Sequence, residues 1–293
     1  SNTVELPGRS LRMEYALARA SAGSRERPPI VFCHGTFHGS WCFAEHWLEH
    51  FSERGYDTYA VSLRGTSASP EPVPRKIGVD EHVDDLATFV REVVRTPPTL
   101  VGHSFGGAYV QKLLERGETE AAACVLLCSV PPSGNVGMTM RFLRRAPLTA
   151  LRITRAFVAK TAATSIADAS SLFFSDALPE NEVRRYMERF AADSKCTLDV
   201  ADFTRKLPSR NADSSGKRAA WAERCPPMLV LGAELDSIVD ARGVEETAEF
   251  YGAEHGTLAG IGHDVMLVPG WESVADRVAD WLDNKLARPT TAT

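Results

Sequence analysis

Two glycines flank one hydroxyl in the stretch LVGHSFGGAYV, where Gly102, His103, Ser104, Phe105 and Gly106 form the pattern G-x-S-x-G. The run before it is apolar and strand-like, and the run after it is helix-like. In that setting the pattern predicts a sharp strand-to-helix bend with Ser104 at its apex. The backbone of such a bend is strained, and side chains two residues before and after the serine would collide with the turn. Gly102 and Gly106 remove that collision, and Gly107 lets the helix pack close. The bend lifts the Ser104 hydroxyl above a sheet and aims the unpaired N–H groups of a helix start at any negative charge that forms there.

A serine hydroxyl is a poor nucleophile at neutral pH, so this chemistry requires a base and a group to orient it. Among eight histidines, His263 in AGIGHDVML follows a possible last strand, His255 to Ala259, and precedes the C-terminal helix. That puts it on a loop at the carboxyl edge of the sheet, beside Ser104. Asp236, in MLVLGAELDSIVD, follows an apolar strand by a few residues on the same edge. The order serine, acid, histidine is one that this kind of nucleophile uses. Asp240 is the second candidate acid, further from the strand end, and Glu234 the third. Negative charge on a carbonyl oxygen also needs preset donors. The N–H of Phe105, directly after the nucleophile, is one by position. The other is expected in HGTFHGSW, from Thr36, with Phe37 as the alternative. His34 and His38 of that loop need no metal to explain them.

The elements that must position these groups follow from the pattern of apolar residues. Short continuous runs at 28–35, 56–63, 98–104, 123–130 and 226–234 are rich in Val and Leu and bounded by Gly or Pro. They predict strands buried on both faces of a parallel sheet. Val83, Leu86, Ala87, Val90, Val93 and Val94 recur at helical spacing, as do Trp271, Val274, Val278 and Trp281, so helices cover that sheet. The fold class is α/β. From Ser133 to Ala222 the strand-like runs stop and the chain turns helical, which predicts an inserted helical cap at 133–222 on a core of 1–132 and 223–293. The tail ARPTTAT is expected to be disordered.

Composition narrows the partners. The chain of 293 residues carries a net charge of -5, which argues against nucleic acid, whose binding runs on excess Lys and Arg. No apolar run approaches the length of a membrane span, and no signal segment leads the chain. A start at Ser1 and Asn2 without methionine points to a cleaved tag or trimmed precursor. The cap segment holds 15 Lys and Arg against 9 Asp and Glu, and its basic face is expected to be a solvated surface, with a membrane surface or anionic substrate as the alternative. Six scattered cysteines without a C-x-x-C pair fit the cytoplasm or another reducing compartment such as an organelle stroma.

These motifs resemble the serine hydrolases of the α/β-hydrolase superfamily. HGTFHGSW with GHSFGG is similar to the small-molecule esterase branch that includes plant methylesterases and hydroxynitrile lyases, with coverage from about Pro28 to Leu286. The resemblance implies a catalytic triad of Ser104, Asp236 and His263, and oxyanion N–H groups at Thr36 and Phe105. Hydroxynitrile lyases of this branch have threonine where Gly35 stands and lysine where Asp264 follows the histidine, so cyanide-releasing chemistry is disfavoured. Dehalogenases and epoxide hydrolases carry aspartate at the bend, which Ser104 excludes.

The expected function is therefore a carboxylesterase or lipase-like serine hydrolase acting on a small-molecule ester through an acyl-enzyme, with no cofactor and no metal. Phe37, His38, Phe142, Phe157, Phe173 and Phe174 are candidates to line a largely apolar pocket; plain core packing is the competing account of the cap aromatics. Thioester or carbon-carbon bond hydrolysis shares the same machinery, and a receptor-like protein with slow or no turnover would keep the same three side chains. HWLEH, from His46 to His50, fits H-x-x-E-H and could hold zinc if a downstream acid joined it.

Overall fold

The computed structural model describes residues 1–21, 27–211 and 220–287. Ten strands, β1 (Asn2–Leu6), β2 (Leu11–Ala18), β3 (Ile30–Cys33), β4 (Thr58–Val61), β5 (Lys76–Ile77), β6 (Thr99–His103), β7 (Ala123–Leu127), β8 (Thr197–Leu198), β9 (Met228–Ala233) and β10 (Glu254–Leu258), occur in it. Eight form one sheet in the order β1-β2-β4-β3-β6-β7-β9-β10. From β4 to β10 all neighbours are parallel, while β1 and β2 join antiparallel at one edge.

Each central strand is buried on both faces, which is why these strands are runs of apolar residues rather than alternations. Ile30 and Phe32 of β3 belong to one apolar layer and Val31 and Cys33 to the other. The first layer takes α1 (Trp41–Ala44), α2 (Trp47–Glu53) and α11 (Trp271–Leu286). The second takes α3 (Val79–Phe89), continued by a π-helical turn at Val90–Val94, then α4 (Phe105–Arg116) and α10 (Ala241–Tyr251). The helices expected at Val83–Val94 and Trp271–Trp281 are α3 with its π turn, and α11.

Between β7 and β9 the chain runs through α5 (Val136–Arg145), α6 (Pro147–Val158), α7 (Ile166–Phe173), α8 (Glu180–Asp193) and α9 (Val200–Arg205). Within this stretch β8 pairs with β5 through two residues each, Lys76 with Thr197 and Ile77 with Leu198. Two residues are too short to leave a periodic signal, so sequence reasoning passed over both. It also passed over the β1–β2 hairpin, although Leu11, Met13, Tyr15 and Leu17 alternate along β2 as a strand should. The last strand is β10, one residue earlier than expected. Residues 288–293 of the tail read as disordered lie outside the described residues. Among the described residues no helix is long and apolar enough to cross a membrane. Cys33, Cys42, Cys124, Cys128 and Cys196 are free thiols.

Candidate active site

Ser104 follows β6 directly and stands at the N-cap of α4, with φ 54° and ψ -122°. That backbone region is costly for a residue with a Cβ and survives only where its surroundings hold it. The Ser104 N–H donates to the Leu127 carbonyl at 3.0 Å, and its own carbonyl accepts from Gly107 N at 3.1 Å and Val130 N at 3.2 Å. The glycines work at three different contacts. A Cβ on Gly102 would sit 2.5 Å from Gly107 Cα, inside the turn itself, whereas one on Gly106 would run into the carbonyls of Cys33 and His34 at the end of β3. One on Gly107 would meet the Ser129 hydroxyl.

Phe37 (φ 69°) and Cys128 (φ 45°) have positive φ as Ser104 does. The three lie just beyond the carboxyl ends of β3, β6 and β7, which are neighbours in the sheet. Strained non-glycine residues gathered at one edge mark a place where geometry is held for a purpose.

Asp236 and His263 reach the same edge from the loops after β9 and β10. His263 Nδ1 lies 2.8 Å from Asp236 Oδ2, with both side chains buried. The other carboxylate oxygen of Asp236 accepts from the amides of Ile238 at 2.7 Å and Val239 at 3.0 Å, so the acid cannot swing away from the ring. Burial alone would disfavour a charged His263. The charge of Asp236 and its hydrogen bond outweigh that, Asp264 adds to them, and the imidazole is held above its ordinary value. Because Nδ1 faces a carboxylate it carries the proton, leaving Nε2 as the free acceptor.

The second and third candidate acids have other employment. Asp240 is the N-cap of α10, accepts from Gly243 N, and grips Arg141 with both oxygens at 2.5 and 2.7 Å. Glu234 accepts from Gly260 N at 2.8 Å.

Around this pair lie further buried polar groups, of which sequence reasoning had assigned only His38, as a pocket residue. Asp264, directly after His263 and fully buried, has Oδ2 2.9 Å from His38 Nε2, and His38 Nδ1 donates to the Thr36 carbonyl at 2.7 Å. The His103 ring stands 4.8 Å from that of His263, and its Nε2 donates to the His263 carbonyl at 3.0 Å. Burial, reinforced by His263, His38 and His34, holds His103 well below its ordinary value, so it stays neutral. His34 is likewise lowered to about 3, chiefly by burial. Its Nδ1 donates to the Gly35 carbonyl at 2.7 Å and its Nε2 accepts from Leu63 N at 3.0 Å. Cys128 hydrogen-bonds to Asp236, and burial together with that carboxylate raises its thiol far above the ordinary range. Its place at the end of β7, between β6 and β9, is the signal that could have singled it out.

Gly35 presses against the serine: a Cβ there would stand 2.7 Å from Ser104 Cβ. The Thr36 amide follows it directly, and Phe105 is the first residue of α4, whose amide has no intrahelical acceptor.

Four of the candidate pocket aromatics form one cluster. Phe37 lies 5.5 Å from Phe157 of α6, 5.9 Å from Phe173 of α7 and 6.0 Å from Phe190 of α8. Phe173 is also 6.0 Å from the His263 ring, and Phe174 is 6.5 Å from Phe173. His38 joins the cluster through Phe173 and Phe190. Phe142 does not, since it packs in the opposite apolar layer. A shallow hollow of about 300 Å³ lined by Pro97, Leu114 and Arg224 lies at the far edge of the sheet, away from Ser104.

Among the described residues two groups of side chains could in principle grip a metal ion: His103, His263 and Asp264, and Cys128, Asp236 and His263. Both draw on His263, whose Nδ1 is already bonded to Asp236; Asp236 also takes Cys128, and Asp264 Oδ2 faces His38. His46 and His50 are used elsewhere. The His46 ring stacks on Trp271 at 4.5 Å, and His50 Nε2 lies 3.0 Å from Asp276.

The chain belongs to the α/β-hydrolase fold family, whose family model matches residues 28–269. It is 26% identical to Methylesterase 10 of Arabidopsis thaliana over 107 residues, 35% of this chain and 38% of the relative. It is 29% identical to "Probable esterase PIR7A" of Oryza sativa subsp. indica over 120 residues, 40% of this chain and 45% of the relative. The matched region thus spans less than half the length of these relatives. Among solved structures, MenH from S. aureus superposes with a TM-score of 0.67 at 16% identity, covering 93% of this chain and 99% of that one. An esterase from Exiguobacterium antarcticum gives 0.67 at 16% identity, covering 93% and 96%. At that identity these two likenesses speak to the fold alone.

Proposed function

We propose that the chain is a serine hydrolase that cleaves a carboxylic ester of a small or medium, largely apolar substrate through an acyl-enzyme. The observation that carries the reading is the hydrogen bond between His263 and Asp236 at the sheet edge where the strained Ser104 ends β6. The names of the methylesterase and esterase relatives agree with it.

In this mechanism Ser104 Oγ attacks the ester carbonyl carbon while its proton passes to His263 Nε2, and Asp236 stabilises the imidazolium and holds its tautomer. The carbonyl oxygen takes the negative charge and receives the amides of Thr36 and Phe105; one such donor is worth on the order of 10² to 10³ in rate. Collapse breaks the bond to the alcohol oxygen, which leaves with the proton from His263. Water then attacks the acyl-enzyme, gives its proton to His263, and Ser104 recovers its hydrogen as the acid departs.

Residues 133–222 act in this reading as a helical cap on a core of 1–132 and 223–293. Phe157, Phe173 and Phe174 from the cap, with Phe37 and His38 from the core, wall the acyl or alcohol side of the site. Phe142 falls outside that wall. His38 presents its ring, since both its nitrogens are committed to Thr36 and Asp264.

The test is turnover of p-nitrophenyl butyrate. Repeated turnover is expected, with kcat reduced on the order of 10⁶ in Ser104→Ala. A variant that keeps most of the rate removes Ser104 as nucleophile, and a wild-type protein that releases no nitrophenol beyond the uncatalysed rate overturns the hydrolase reading.

A further inference from the structure

The α5–α6 hairpin presents a surface that the catalytic reading does not use. Among the described residues nine large apolar side chains are exposed, and six of them, Val136, Met140, Leu143, Leu148, Leu151 and Val158, lie on these two helices. Leu148 is 81% exposed and Val158 80%. They fall in stripes: Val136, Met140 and Leu143 at i, i+4 and i+7 on α5, and Leu148, Leu151 and Val158 at i, i+3 and i+10 on α6. Their inward sides are tied down by other residues. Met138, Ala150 and Ala156 are buried, and Arg141 holds Asp240 on the core.

Charge is distributed just as unevenly. No acidic residue occurs between Glu120 and Asp168, whereas Arg141, Arg144, Arg145, Arg152, Arg155 and Lys160 all fall on or beside the hairpin. Arg152 and Arg155 share Asp168. Arg144 and Arg145 are exposed and form no ion pair within 4 Å among the described residues, although the Arg145 charge also bears on Asp240. An apolar stripe fringed by cations in excess of carboxylates is the pattern of a helix that lies in the boundary of a lipid bilayer, apolar side chains among the acyl chains and arginines on anionic headgroups. A second copy of the chain is a poor occupant, since an isologous contact would set arginines against arginines.

We propose that the α5–α6 hairpin is a docking surface for a bilayer bearing anionic lipid. The surface stands whether or not the chain hydrolyses esters, because binding is read without turnover. Its position gives docking a consequence for the site: Phe157, on the same α6, packs against Phe37 in the loop that supplies Thr36.

The experiment is co-sedimentation of the full chain with large vesicles of phosphatidylcholine alone and of phosphatidylcholine mixed with phosphatidylglycerol. Binding is expected to the mixed vesicles only, and to weaken as salt shortens the reach of charge from about 10 Å at 0.1 M to about 3 Å at 1 M. Arg144→Gln combined with Arg145→Gln should lower partitioning by roughly 25-fold, about fivefold per cation. Leu148→Ser combined with Leu151→Ser should lower it also with the charges intact. Both pairs are exposed, so circular dichroism and nitrophenyl ester turnover in vesicle-free buffer serve as checks on folding. No binding to the mixed vesicles, equal binding to both kinds, or full binding by either double variant overturns the proposal. So does a concentration-dependent dimer that the Leu148/Leu151 variant abolishes, which would give the face to a second copy.

Discussion

His38 Nε2 lies 2.9 Å from Asp264 Oδ2, and neither side chain has measurable exposure. The contact joins the loop after β3, which carries Thr36, to the loop after β10, which carries His263. Through the other nitrogen His38 fixes the Thr36 carbonyl. One buried pair therefore ties the proposed oxyanion loop to the proposed base.

Removing one member of such a pair leaves a buried polar atom of the other without its hydrogen-bond partner, a cost of about 1–3 kcal/mol. Asp264→Ala is expected to lower the calorimetric Tm accordingly. Asp264→Asn preserves the volume and tests the charge alone. Because the Asp264 charge helps to hold His263 up, the asparagine variant should move the acidic limb of the pH–rate profile to lower pH, and an unmoved limb would deny the electrostatic link.

The wild-type profile has its own sign. In the proposed mechanism attack on the ester requires neutral His263, since only an unprotonated Nε2 can take the serine proton. With the folded imidazole held above its ordinary value of 6.5, the active form is scarce in acid and gains ground as pH rises through a midpoint above that value. Measured kcat/KM should follow this single rising limb, and a midpoint below 6.5 contradicts the electrostatics described here.

Asp236 and Asp240 separate chemistry from architecture. Asp236→Asn should leave the protein folded and reduce kcat on the order of 10⁴, by losing the tautomer of His263. Asp240→Ala should keep most of the rate and instead lose about 1 kcal/mol of stability from the α10 cap, with a further contribution from the Arg141 pair. Urea unfolding beside initial rates checks both, and the opposite pattern would exchange the roles of the two acids.

Gly35→Ala probes the close approach of the loop after β3 to Ser104, the proposed nucleophile. Its methyl would sit 2.7 Å from Ser104 Cβ and 3.3 Å from His103 Nδ1, so either the loop or the serine must shift. A displacement near 1 Å at reacting groups can cost about 10² in rate, and kcat/KM is expected to fall by that order. An unchanged rate would mean that the loop yields without disturbing its donors.

The central sheet was readable because burial on both faces demands unbroken apolar runs, and those runs stand out at β3, β4, β6, β7 and β9. The elbow was readable because a bend this tight forces glycine at defined offsets from Ser104. The β1–β2 hairpin carried an alternation that went unused, and β5 with β8 carried no signal, since each has two residues and a partner more than a hundred positions away.

The composition of the acid loop left Asp236, Asp240 and Glu234 open. Only the folded chain decides among them, because Asp240 turns to Arg141 and Glu234 to the Gly260 amide while Asp236 alone meets the His263 ring. The same holds for Cys128, His38, His103 and Asp264. Local sequence dictates strands, bends and helix starts, because those depend on neighbours a few residues away. Which polar atoms face one another across the ends of β3, β6, β7, β9 and β10 depends on strand order and burial, which exist only once the whole sheet has formed.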